Sequence, residues 1–141
     1  MVTLVDTGAW YALADQSDRH HRTAKDYYET AADRQGLVTT DLILGETFAL
    51  LSSHLGRSGA LAFWAGLREA QIPILPITVQ EIEASWHIAQ AFPDQSFSFV
   101  DCTTFALMER LGIGDAFAFD SHFLVYRYGA SNERAFRRHP V

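Results

Sequence analysis

Val2-Thr3-Leu4-Val5-Asp6-Thr7-Gly8-Ala9 opens the chain with a short apolar run, a carboxylate, and a turn into a second apolar segment reaching Ala14. Such a run followed by a turn reads as a buried strand feeding a helix. The alternation recurs. Asp18 is a candidate N-cap for a helix to about Ala32, with Tyr27 and Ala31 on one side and Gly36 as its stop. Leu37-Val38-Thr39 follows as a strand, and Thr40 or Asp41 caps a helix whose Leu44, Phe48, Leu51 and Leu55 have core-facing spacing. Gly56 ends that helix, and Ser58 begins another through Phe63, Trp64 and Leu67. Pro73 to Ile77 reads as a third strand, held to an edge by its prolines. Thr78 and Glu81 form a capping box for a helix to about Phe92. After a loop at Pro93 to Ser96, a helix begins near Asp101 and stops at Leu111-Gly112. Asp115 to Phe119 is a fourth strand, and a short fifth lies near Ala135 to Arg137. Strands alternating with helices predict an α/β fold of three layers, with a central parallel sheet of four to five strands flanked by helices.

Length points to one domain spanning 1–141. The single cysteine, Cys102, excludes an internal disulfide and a paired-cysteine zinc site. The N-terminal apolar run lacks a basic leader and contains Asp6, which argues against a secretory signal. No apolar run approaches the ~18 residues of a membrane span, so a cytoplasmic protein without a membrane partner is expected. A net charge of −6 argues against adhesion to nucleic acid by bulk electrostatics. Basic residues nevertheless cluster at Arg19, Arg22 and Lys25 with His20 and His21, and again at Arg127, Arg134, Arg137 and Arg138. Two such patches around an acidic centre would suit a phosphate backbone.

The acidic centre is the main chemical signal. Asp6 and Asp120 close predicted strands, Asp101 opens a helix, and Glu46 lies one turn into a helix between Leu42 and Leu50. Ligands of open parallel sheets bind outside the carboxyl ends of the strands, where all four residues can converge. Each has a capping or structural reading taken alone. Together, carboxylates flanked by apolar residues need a compensating charge, and a hard divalent cation with oxygen ligands supplies it most simply. Thr7 and Thr104 lie near this centre as hydroxyls for a water or a phosphate oxygen, and His122 is placed for substrate phosphate. The histidines show no zinc-type spacing, and no nucleophile elbow or Gly-rich phosphate loop is present.

Val5-Asp6-Thr7-Gly8-Ala9-Trp10, Gly45-Glu46-Thr47, the segment from Phe99 to Met108 and Phe119-Asp120-Ser121-His122-Phe123 resemble the PIN-domain ribonucleases, most closely the toxin half of VapBC toxin–antitoxin pairs. The resemblance covers nearly the whole chain in order. It implies an endoribonuclease dependent on Mg²⁺ or Mn²⁺, with Asp6, Glu46, Asp101 and Asp120 as the metal-binding set and Thr7 and Thr104 at supporting hydroxyl positions. It also implies a homodimer silenced by a cognate antitoxin. Ser121 departs from the pattern, since a basic residue often follows the fourth acid.

Three rival readings differ in what they require. Phosphotransfer through an aspartyl phosphate needs a second acid just before Asp6 or two residues after it; Leu4-Val5 and Gly8 stand there. A non-catalytic RNA- or protein-binding module would have no need to keep all four carboxylates. A housekeeping RNA-processing nuclease would share the same site and differ in lacking an antitoxin.

Overall fold

The computed structural model describes residues 2–31 and 36–141. Along the chain run β1 (Val2–Val5), α1 (Thr7–Ala14), α2 (His21–Ala31), β2 (Gly36–Thr40), α3 (Asp41–Glu69), β3 (Ile74–Leu75), α4 (Val79–Ala91), α5 (Phe99–Leu111), β4 (Asp115–Phe117), α6 (His122–Val125) and β5 (Arg137–His139). The strands form one sheet in the order β3-β2-β1-β4-β5, and every pairing is parallel. Leu4 pairs with Val38 on one side and Ala116 on the other. The chain thus steps outward from β1 to β3, then crosses back to β4. That reversal makes a topological switch point between the carboxyl ends of β1 and β4. Right-handed crossovers then put α1, α2 and α3 on one face and α4, α5 and α6 on the other.

The expected three-layer parallel α/β architecture is what forms. Thr3, Leu4 and Val5 are wholly buried, as a central parallel strand requires. Helix α5 is buried at every position from Asp101 to Met108, so it has no solvent face in that stretch. Phe105 anchors it, stacked on Tyr126 at 4.4 Å and met edge-on by Phe97 and Phe123.

Several boundaries move. The predicted helix end at Ala32 lies outside the described residues, and Gly36 begins β2 instead of stopping a helix. The core stripe of α3 is Ile43, Thr47 and Leu51; Leu44 and Phe48 are half-buried and Leu55 is exposed. The cause is the rotation set by the Thr40 cap, whose hydroxyl accepts from Ile43 N at 3.0 Å and turns Ile43 inward. Gly56, at φ 82°, breaks the helix at the expected place, and Phe48 meets Trp64 edge-on across that break. The third strand shrinks to two residues between its prolines. The fourth stops at Phe117, and the fifth starts at Arg137 instead of Ala135.

Two buried carboxylates outside the switch point have structural partners. Asp115 takes both arms of Arg137 at 2.8 Å and His139 at 2.9 Å, joining β4 to β5. Glu81 closes the capping box with Thr78 and pairs with Arg110, joining α4 to α5. Arg137 hydrogen bonding holds Asp115 below its ordinary value. Burial would raise Glu81, but the Thr78 groups and Arg110 outweigh it and hold it at about 2. These depressed values stabilise the fold above the ordinary carboxyl range, and the benefit is lost as pH falls through the folded values. Unfolding by urea across pH should therefore show stability falling between the ordinary 4.5 of Glu81 and about 2, with a shallower fall in Glu81→Gln. At neutral pH, Asp115→Ala should cost about 2–3 kcal/mol by the same assay.

Candidate metal centre at the switch point

Asp6 follows β1, and its backbone N–H donates to Phe117 O at 3.0 Å, so the end of β1 is locked to the end of β4. It occupies the N-cap position of α1, and its carbonyl accepts from Ala9 and Trp10. Its side chain makes no capping hydrogen bond, although it is almost fully buried. The capping reading of this carboxylate therefore fails. Burial, then the carboxylates of Asp120, Asp101 and Glu46, push the Asp6 carboxyl well above its ordinary value of 3.8. Asp120, Asp101 and Glu46 thus each act electrostatically on Asp6.

Each of the other three is held differently. Asp101 is the third residue of α5 and forms a capping box with Ser98: its Oδ2 accepts from Ser98 N at 2.9 Å, and its own N–H donates to Ser98 Oγ at 3.0 Å. The same Oδ2 lies 2.7 Å from His122 Nδ1. Asp101 is thus both a cap and a member of the cluster. Glu46 accepts from the Thr7 hydroxyl at 2.6 Å. It is half-buried, and Leu50 beside it is exposed. Asp120 is more open still, with 44% of its side chain exposed. Its Oδ1 accepts from His122 N at 2.8 Å at the start of α6. Burial and the Asp101 carboxylate raise its pKa, against the His122 and Arg138 contributions that lower it.

His122 is the residue whose place sequence reasoning understated. Its ring is held by Asp101 and lies 3.7 Å from Asp120 Oδ2. Ligand atoms of Asp101, Asp120 and His122 all fall within 4.8 Å of one another. Its position two residues after Asp120, at the first residue of α6, was the available signal. Thr104, in contrast, is wholly buried and donates its hydroxyl to Val100 O at 2.7 Å, so that proton is spent on the helix backbone. The C-terminal arginines are also committed to the fold. Arg137 holds Asp115, Arg127 and Arg138 hold backbone carbonyls, and Arg134 lies over Tyr128. These contacts order the patch, while Arg127, Arg134 and Arg137 remain exposed.

The donor set fits a hard divalent ion. It offers carboxylate oxygens with one optional imidazole, and Asp6 is a buried acid that no described cation neutralises directly. Asp101, Asp120 and His122 form the compact set that would hold such an ion; Asp6 and Glu46 fall outside that set, Glu46 held by Thr7. Because a raised carboxyl pKa makes the fold less stable as pH climbs through it, Asp6 weakens the cation-free protein at neutral pH. In EDTA, Asp6→Asn should therefore be more stable than the wild type by thermal denaturation. Added Mg²⁺ or Mn²⁺ should raise the wild-type melting temperature and leave that of Asp6→Asn unchanged.

Comparison with known proteins agrees with this geometry. Residues 3–127 match the family model described as the PIN domain. A 23S rRNA-specific endonuclease, VapC20, from two strains of Mycobacterium tuberculosis is 34% identical over 119 residues, covering 84% of this chain and 89% of the relative. The crystal structure of M. tuberculosis VapC20, described as a sarcin–ricin loop cleaving toxin, superposes with a TM-score of 0.77 at 32% identity, covering 86% of this chain and 91% of that one. The chain belongs to the PIN-domain family, as a VapC-like member.

Proposed function

We propose that this protein is a metal-dependent endoribonuclease, the toxin of a toxin–antitoxin pair, acting on a structured loop of ribosomal RNA. The observation that carries this reading is Asp6: a carboxylate with no capping bond at the switch point of a PIN fold, its pKa raised first by burial and then by three neighbouring acids. We take residues 1–141 to act as one unit and Asp6, Glu46, Asp101 and Asp120 as its catalytic acids. Mg²⁺ or Mn²⁺ is the proposed ion. When bound, it would activate water and neutralise charge on the phosphate.

The chain's own residues prepare that chemistry. Ser98 and His122 fix the Asp101 carboxylate, the His122 backbone N–H orients Asp120, and Thr7 orients Glu46. Arg138 donates to the carbonyls of Phe119 and Asp120 at 3.1 and 3.0 Å, holding the segment that carries Asp120. Water attacking in line on a phosphodiester expels the 3′ oxygen, so products carry 5′-phosphate and 3′-hydroxyl ends. Thr104 and Ser121 add no free cation to this centre. A cognate antitoxin and a homodimer complete the proposal, with the cytoplasm as its setting; no helix among the described residues is long and apolar enough to cross a membrane.

The test is cleavage of labelled ribosomal RNA fragments with Mg²⁺, Mn²⁺ or EDTA. The wild type should cut only with metal. Asp101→Asn should lose roughly 100-fold or more, and His122→Ala about 10- to 100-fold, since it orients a ligand. Metal-independent cutting, or full activity in a folded Asp101→Asn protein, would contradict the reading.

A further inference from the structure

The carboxyl edge continues beyond Asp120 into a depression of about 350 Å³, which Asp120 shares with Gly8, Tyr11, His20, His54 and Phe119. Two ring pairs wall it. His20 lies flat on Phe119, with 4.3 Å between centroids and 8° between planes. Tyr11 meets His54 edge-on at 5.6 Å. Arg19, also at the wall, donates from Nε to the His20 ring at 3.2 Å and has no carboxylate within ion-pair distance among the described residues. The neighbouring acid Asp18 is turned to the His20 backbone N–H at 2.8 Å. These groups come from α1, the turn before α2, α3 and the segment after β4, so the fold assembles them from distant sequence.

Gly8 adds an independent sign. It lies inside α1 with ordinary helical backbone, and a Cβ there would meet nothing within 4 Å. Neither conformation nor crowding requires glycine at this second residue of α1. The residue leaves open space beside the acids. An acidic protein gains little RNA affinity from bulk charge. Aromatic faces bind unstacked bases without needing it.

We propose that this depression is a subsite for one unstacked nucleobase of the RNA, stacked against the His20–Phe119 pair with Arg19 at its edge. This rests on the ribonuclease reading above. The test is fluorescence polarisation of a short labelled single-stranded RNA containing all four bases, in Ca²⁺ buffer with the RNA checked intact on a gel. Wild type, Arg19→Ala, His20→Ala and Gly8→Leu are compared, with folding checked by thermal denaturation. His20→Ala and Gly8→Leu should each weaken binding roughly 10-fold. An RNA made abasic at the bound position should lose a similar factor with the wild type and nothing further with His20→Ala. Equal abasic penalties in both proteins, or variants that bind like the wild type, would overturn the subsite. If Asp101-dependent cleavage persists in that case, the nuclease reading stands alone. A wild type that neither binds nor cuts RNA would remove both.

Discussion

A carboxylate buried beside other acids at the end of a parallel sheet governs how this molecule is built. Burial raises the Asp6 carboxyl most, and the charges of Asp120 and Asp101 add to it. His122 and Arg138 offset the cluster only at Asp120 and Asp101. A fold that needed only stability would replace such a group with an apolar residue. Here the surrounding structure keeps it in place. The Phe117 carbonyl fixes the Asp6 backbone, and the capping box of α5 fixes Asp101. The energy spent on this arrangement makes sense when a cation supplies the missing charge.

The scaffold can bear that strain because its other buried charges are satisfied. Asp115 has Arg137 and His139, and Glu81 has Thr78 and Arg110. These pairs join β4 to β5 and α4 to α5, the elements that deliver Asp120 and Asp101. The aromatic layer around Phe105 then locks α5 against the segment after β4. Stability and site are thus separated in space but built on the same elements.

The parallel sheet and the edge location of the acids were legible because both follow from short-range signals. Apolar runs ending in Asp, a Thr40 cap, the Thr78–Glu81 box and Gly112 as a left-handed stop are local chemistry. The misread features depend on tertiary geometry. The inward face of α3 is set by a cap rotation that spacing alone leaves open between neighbouring stripes. The structural partners of Arg137 and Arg138 were likewise not legible: the β4–β5 register places Arg137 opposite Asp115 and Arg138 donates to backbone carbonyls. His122 and His20 sit beside partners distant in sequence, Asp101 and Phe119, so no local pattern announces their contacts.

The acids at the β1–β4 switch point are proposed to gather around a divalent ion. Anomalous diffraction from crystals grown with Mn²⁺ tests it most directly. A Mn²⁺ peak is expected at the carboxylates of Asp101 and Asp120. Saturating Mn²⁺ with no peak at those carboxylates, or with peaks only elsewhere on the molecule, would contradict it.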